Sequence, residues 1–218
     1  MTERQVFIMK LIIIAAPGAG KGTQAEMISK HFGIPTVSTG AILRKNIQDK
    51  TELGAIAAKY INDGNLVPDD VMIDIVRKRL NEDDCKNGFI LDGYPRNIEQ
   101  AKALDESGIE IDKVLAIEVE DETIVERLSG RLECKVCGSS FHKEHRKPQK
   151  DGVCDNCGGE LRTREDDRPE VIRDRLKTYH EKTEPLKDFY LKKGMLKIAV
   201  GKDEIESTTK EVLRVLEG

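Results

Sequence analysis

An aliphatic run, Leu11-Ile12-Ile13-Ile14-Ala15-Ala16, breaks at Pro17 into Gly18-Ala19-Gly20-Lys21-Gly22-Thr23, and a helical pattern follows to Phe32. No other stretch limits the possible folds as much. A short apolar run without polar alternation reads as a strand buried on both faces. Glycines at 18, 20 and 22 let the backbone turn sharply and present N–H groups that no Cβ shields. A helix starting there aims its positive end at the same point, which suits an anion. The window Ala15–Thr23 reads A-A-P-G-A-G-K-G-T against the phosphate-loop pattern G-x-x-x-x-G-K-[ST]. Lys21 is then placed to reach outer phosphates, and Thr23 to help position Mg2+. A plain turn between strand and helix would explain the glycines but not the Lys-Gly-Thr that follows.

The rest of the chain repeats the alternation. Strand patterns fall at Lys10–Ala16, Thr36–Ser38, Phe89–Asp92, Val114–Val119 and Leu196–Val200. Helical patterns cover Gly22–Phe32, Asp69–Leu80, Ile98–Ser107 and Glu122–Arg131, and a long helix starts at Pro169 and runs toward Lys192. This order predicts an α/β fold with a parallel sheet covered on both faces, its ligand outside the carboxyl ends of the strands. Two stretches interrupt the pattern: 38–67 reads as helix upon helix, and 132–163 has little helical periodicity. Length, 218 residues, and the lack of any repeat or low-complexity linker suit one domain with inserts. The early apolar run is far shorter than the roughly 20 residues a spanning helix needs. It also lacks the layout of an export signal, so the cytoplasm is the expected location. Residues 1–8, ahead of the first strand, read as a dispensable extension.

Cys134, Cys137, Cys154 and Cys157 form two Cys-x2-Cys units separated by sixteen residues, and Cys85 stands alone. In a reducing compartment such a pattern reads as a zinc ribbon before it reads as disulfides. Four thiolates leave no position for water, so the ion is expected to be structural. A redox pair or a chance cluster is the other reading. His142 and His145 are not needed as ligands. Lysine and arginine number 36 against 40 aspartates and glutamates, a net charge of −4. That balance argues against a protein that wraps nucleic acid or coats an anionic membrane.

In order along the chain stand PGAGKGT, STGAILR at Ser38–Arg44, LVPD at Leu66–Asp69, LDGYPR at Leu91–Arg96 with Gln100 beyond it, ERLSGR at Glu126–Arg131, TREDD at Thr163–Asp167 and RDRL at Arg173–Leu176. This ordered set, spanning residues 9–217, resembles the adenylate kinases of the long-lid, zinc-containing type. The resemblance implies a three-layer α/β/α phosphate-loop core made of residues 1–37, 68–129 and 168–218. It implies a helical NMP-binding insert at 38–67 and a zinc-containing lid at 130–167. It further implies a monomer that converts ATP and AMP reversibly into two ADP, with Mg2+, in adenine nucleotide homeostasis. No nucleic-acid or membrane partner is expected.

Transfer between two nucleotides needs no base, because the acceptor is a phosphate oxygen already anionic at neutral pH. The difficulty is repulsion between two polyanions held in line, which forked guanidinium donors and Mg2+ relieve. By resemblance, Gly18, Ala19, Gly20, Lys21, Gly22, Thr23, Arg127 and Arg131 hold ATP, with Ser140, Phe141 and the backbone of Gly201 near its adenosine. Thr39, Arg44, Asn65, Leu66, Val67, Gly93, Tyr94, Pro95, Arg96 and Gln100 hold AMP, joined by Arg164 and Arg175. Lys21, Arg96, Arg131, Arg164 and Arg175 form the catalytic set. Arg127 and Arg131, four apart, are expected on one helical face, and Asp92, ending a strand pattern, is placed to reach Mg2+ through water.

Other readings remain open for several of these. Arg44 also reads as an ordinary surface charge, Arg127, Arg131, Arg164 and Arg175 as partners of Asp166, Asp167 and Asp174, and Asp92 as a turn or cap. Ala15 and Ala41 depart from the family pattern, as does His145–Gln149 in the lid. Two rival functions remain: a nucleoside monophosphate kinase for another base or donor, and a zinc-ribbon binding module whose basic stretch is His142–Lys150.

Overall fold

A computed structural model describes residues 9–218; the reading of residues 1–8 as a dispensable extension lies outside the described residues. Five strands, β1 (Met9–Ala15), β2 (Thr36–Ser38), β3 (Gly88–Asp92), β4 (Lys113–Glu118) and β8 (Leu196–Val200), form one parallel sheet in the order β2-β3-β1-β4-β8. The three central strands carry the buried aliphatic runs, among them Leu11, Ile12, Ile90, Leu91, Val114 and Leu115, all fully buried. Such runs fit strands with helices on both faces. Helices α1 (Lys21–Phe32) and α9 (Ile205–Glu217) pack together, while α4 (Asp69–Leu80), α5 (Ile98–Glu106) and α8 (Leu186–Lys192) form a second packed group. The chain leaves β1 for the edge strand β2, returns to β3, then passes to the other side of β1 for β4. That reversal opens a crevice at the carboxyl end of β1, where the glycine loop lies.

Helices α2 (Thr39–Gln48) and α3 (Glu52–Ile61) pack on each other and make up most of the 38–67 stretch, which opens on Ser38 of β2 and ends in a turn and loop after Ile61. Between α6 (Asp121–Ser129) and α7 (Pro169–Thr178) lies a second, antiparallel sheet. Its strands are β5 (Arg131–Cys134), β6 (Ser140–His142) and β7 (Leu161–Arg162), in the order β6-β5-β7. It has its own small cluster of Cys134, Phe141, Cys154 and Leu161 with Leu132 beside them, separate from the main core.

Two expected helices end differently. α6 stops at Ser129, Gly130 caps it, and Arg131 opens β5 opposite His142. A Cβ at residue 130 would lie 2.3 Å from the His142 ring, so the glycine is what lets β6 close on the helix end. Arg127 and Arg131 therefore share no helical face. The helix from Pro169 is also broken: a wide turn, Tyr179–Thr183, separates α7 from α8, and the Glu184 amide donates to the Tyr179 carbonyl at 2.8 Å. Pro185 explains the interruption, since its ring clashes with the carbonyl four residues back in a regular helix.

Candidate active site

The phosphate loop owes its shape to contacts on both sides. Gly18 and Gly20 have φ of 86° and 93°, a region that L side chains rarely adopt. A Cβ on Gly18 would sit 2.7 Å from Leu128 of α6, so that glycine also permits close packing. Gly20 caps α1, whose first residue is Lys21. The Lys21 ammonium donates to the carbonyls of Ala15 (2.9 Å) and Ala16 (3.1 Å), which folds the side chain back across the loop. Burial first, with Arg96, Arg175 and Arg131 adding to it and Asp92 opposing, brings its pKa down to about 8. A desolvated cation among other cations is a ready site for phosphate.

Two cavities adjoin at this loop. The larger is lined by residues 17–24, Arg127, Arg131, Ser140, Phe141 and Asp92. The smaller takes in Thr39, Asn65, Leu66, Val67, Gly93, Pro95 and Gln100. Lys21, Arg44, Arg96, Arg164 and Arg175 line both, so five cations from separate parts of the chain meet at one boundary. Ala15 borders the smaller cavity and Ala41 the larger.

Backbone and side-chain contacts fix the walls. Thr39, fully buried at the start of α2, donates its hydroxyl to the Gly93 carbonyl at 2.9 Å. Arg96 donates its Nε to the same carbonyl at 2.8 Å and its amide to Gln100 Oε1, also at 2.8 Å. Burial, with Arg164 adding to it, lowers the Arg96 pKa against the opposing pull of Asp92 and Asp166. Gln100 in turn donates to Asp69 at 2.6 Å, which orients its amide. Asp92, at the end of β3, accepts from Ser38 Oγ at 3.0 Å. Arg127 reaches the Lys202 carbonyl at 2.9 Å.

The remaining arginines are held by carboxylates. Arg131 forks onto Asp167 at 2.7 and 2.6 Å, and Arg164 onto Asp166 at 2.9 and 2.8 Å. Arg175 lies 3.1 Å from Asp166 and 3.0 Å from Asp167. Burial opposes the charge on Asp166, but Arg164 and Arg175 outweigh it and hold the carboxyl well below its usual range. Burial likewise opposes the Arg164 charge, and Asp166 with Glu133 raises its pKa above the ordinary value. Arg44 and Arg175, where burial dominates, each come down to about 10. The salt-bridge reading of these arginines and their place at the cavity boundary are therefore compatible.

The four cysteine sulfurs lie within 4.8 Å of one another. Each Cys-x2-Cys unit is closed in the same way. Gly138 and Gly158, both at φ 72°, donate their amides to the carbonyls of Cys134 and Cys154 at 3.0 and 2.8 Å. The Val136 amide points at Cys134 Sγ, 3.4 Å away, and the Ser139 hydroxyl helps bring the Cys137 thiol down to about 6. Four converging thiols on two matching turns fit a tetrahedral structural zinc ion. His142 and His145 stay outside this set.

Two expected site residues face elsewhere. Tyr94 is buried in the core and donates its hydroxyl to the Gln100 carbonyl at 3.2 Å. Gly201 lines neither cavity; its amide donates to the Glu118 carbonyl at 2.8 Å, and a Cβ there would meet Val119 at 2.4 Å. Its neighbours Lys202 and Asp203 line the larger cavity instead. Sequence reading missed Thr183, whose hydroxyl donates to the Arg96 carbonyl at 2.7 Å from the wide turn before Pro185. It also missed Glu133, while the pairing of the arginines with Asp166 and Asp167, read from TREDD as an alternative to a binding role, is present alongside it.

A family model described as Adenylate kinase matches residues 13–195. A protein named "Adenylate kinase" from Caldicellulosiruptor bescii is 59% identical over 212 residues, covering 95% of this chain and 99% of its own length. One of the same name from Acetivibrio thermocellus is 50% identical over 214 residues, 96% of this chain and 99% of that protein. Another from Methanosarcina barkeri is 50% identical over 212 residues, 95% and 98% of the two chains.

Proposed function

Because this chain belongs to the adenylate kinase family, we propose that its adjoining cavities hold ATP and AMP with their phosphates meeting over Lys21. The reaction is reversible phosphoryl transfer, ATP + AMP = 2 ADP, and the protein is a nucleoside monophosphate kinase. The five cations shared by both cavity walls are the observation that carries the assignment of sites. A single binding pocket would not need cations from five separate positions at its border with a second one.

In this reading the loop amides of residues 18–23 and the α1 terminus hold the ATP phosphates. Arg127 lies alongside, and Ser140 and Phe141 cover the adenosine. Lys202 and Asp203, rather than Gly201, complete that end. Thr39, Asn65, Leu66, Val67, Gly93, Pro95 and Gln100 enclose AMP, while Tyr94 only supports the wall. Arg44 and Arg96 hold the AMP phosphate. Lys21, Arg131, Arg164 and Arg175 neutralise charge that spreads over the transferred group. No side chain has to move a proton. Mg2+ supplies further neutralisation when bound with ATP, and Asp92 is the carboxylate placed to hold its water ligands.

Residues 130–167 act as a cover, 38–67 as a second moving part, and the remainder as the frame. Closing the cover excludes water that would otherwise take the phosphoryl group. A structural zinc ion on the four cysteines braces it. Among the described residues no helix is long and apolar enough to cross a membrane. We place the protein in the cytoplasm as a monomer without nucleic-acid or membrane partners. A coupled assay across a panel of NMP acceptors and NTP donors tests the reading. Mg2+-dependent ADP formation, fastest with AMP and ATP, is expected, and a preference for another acceptor base would overturn the adenine assignment.

A further inference from the structure

One carboxylate at the boundary has no part in the scheme above. Glu133 sits on β5 beside Cys134, mostly buried, and faces the larger cavity. Its Oε1 lies 3.3 Å from Arg44 Nε and its Oε2 lies 3.1 Å from Arg164. Arg44 belongs to helix α2 and Arg164 follows β7, so this side chain ties the helical insert to the antiparallel sheet. We propose that Glu133 is a built-in competitor for the acceptor phosphate, holding Arg44 and Arg164 until the phosphate of a nucleoside monophosphate displaces it. The inference rests on the nucleotide sites assigned above.

Geometry separates this carboxylate from its neighbours. Asp166 and Asp167 grip Arg164 and Arg131 through two parallel bonds each, none longer than 2.9 Å. Glu133 contacts each arginine through a single nitrogen at a longer distance. Forked, short pairs are the strong ones, and single long ones are easily exchanged. Arg164 keeps its grip on Asp166 without Glu133, so Glu133 is not what positions that arginine. Arg44 forms no other ion pair among the described residues, and it borders both cavities.

A phosphate dianion between Arg44 and Arg96 carries more charge and more acceptor oxygens than a carboxylate. It would take Arg44 from Glu133 and then face the displaced carboxylate across a short, poorly solvated gap. The cost of that displacement weakens acceptor binding and eases its release. Glu133 is thus a residue that sets phosphate affinity through Arg44, without touching the transferred group.

The test uses the full-length chain with Glu133→Gln and Glu133→Asp. Equilibrium binding of AMP and of adenosine, which lacks the phosphate, is measured by calorimetry, and KM for AMP is measured beside kcat. Expected for E133Q is about three- to tenfold tighter AMP binding, a parallel fall in KM, no rise in kcat and no change for adenosine. E133D, which keeps the charge, stays near the parent, and the gain of E133Q shrinks in high salt. AMP bound equally or more weakly by E133Q overturns the proposal, as does an equal change for adenosine, which would mark damage to the neighbouring cysteine turns. A parent chain that makes no ADP would reject the nucleotide sites themselves. A parent that makes ADP, with an E133Q chain that binds AMP no better, rejects the competitor role alone.

Discussion

The two banks of the cleft hold their cations by opposite means. On the sheet side, Lys21 and Arg96 form no ion pair among the described residues and rest on backbone carbonyls. On the other side, Arg131, Arg164 and Arg175 are locked to Asp166 and Asp167. The supports differ in the same sense. The sheet side rises from a continuous apolar core built on three largely buried strands, whereas the antiparallel sheet has an apolar cluster of five residues. A desolvated, unpaired charge costs several kcal/mol on the order of magnitude seen for buried groups. A large core can absorb that and keep its cations hungry for phosphate. A small sheet cannot, so Arg131, which opens β5, and Arg164, just beyond β7, come with their own carboxylates, which Arg175 of α7 shares.

The strongest way to break this contrast is to remove one cation from each bank. Arg96→Met should lower kcat/KM by about three to five powers of ten without lowering the melting midpoint, because it deletes an uncompensated charge. Arg164→Met should lose comparable activity but also break the forked pair with Asp166, leaving Asp166 to Arg175 and Glu133 to Arg44 alone. Breaking a buried pair costs about 3–5 kcal/mol, and a chain of this size loses about 2–4 °C per kcal/mol. A drop of roughly 6–20 °C is therefore expected for R164M in thermal unfolding. Equal drops for both variants would show that pairing does not distinguish the banks.

Sequence legibility follows the same division. The sheet side was readable because its signals are local: an apolar run, glycines at fixed spacing and a lysine opening a helix. Strands β2 and β8 and helix α4 fall where the patterns put them. The arginines were identified only through the order of several motifs, since nothing local distinguishes Arg44 from a surface charge. Arg131 was expected on a helix because α6 has good periodicity up to it. The contact that ends that helix, Gly130 against His142, joins residues twelve apart through a strand pairing that periodicity does not encode. Glu133 was invisible for a related reason, as its partners lie in two other segments. Pro185 was in plain view, but the wide turn it imposes, which brings Thr183 to Arg96, depends on packing.

A smaller effect sharpens the contrast from the cover side. If coordination substitutes for the missing apolar core, Cys134→Ser or zinc chelation should loosen the antiparallel sheet while leaving the parallel sheet intact. Metal sites of this kind contribute folding energy directly. We expect the melting midpoint to fall by roughly 4–8 °C, for a net loss of about 2 kcal/mol. Turnover should stay within about tenfold of the parent at temperatures where the cover still closes. Hydrogen exchange should speed up in residues 131–162 and not in β1, β3 or β4. Protection lost equally in both sheets would mean that the two form one cooperative unit.

The smallest effect separates the banks by pH. Burial, reinforced by Arg96, Arg175 and Arg131, lowers Lys21 to about 8 in the nucleotide-free protein, while Arg44 and Arg175 titrate at about 10. The sign follows from which form binds phosphate. Below pH 8 Lys21 is an ammonium and attracts the nucleotide; above it, the neutral amine does not. Bound phosphates bring negative charge and favour the ammonium, so its pKa rises in the complex. Binding above pH 8 must therefore take up a proton, and kcat/KM should fall by about tenfold per unit from there. The value of kcat, which reports the occupied protein, should hold to higher pH. Calorimetric binding in two buffers of different ionisation enthalpy measures the uptake at pH 8.5–9. No uptake in that window, with kcat/KM flat until the arginines titrate, would place Lys21 on the same footing as the paired bank and erase the distinction.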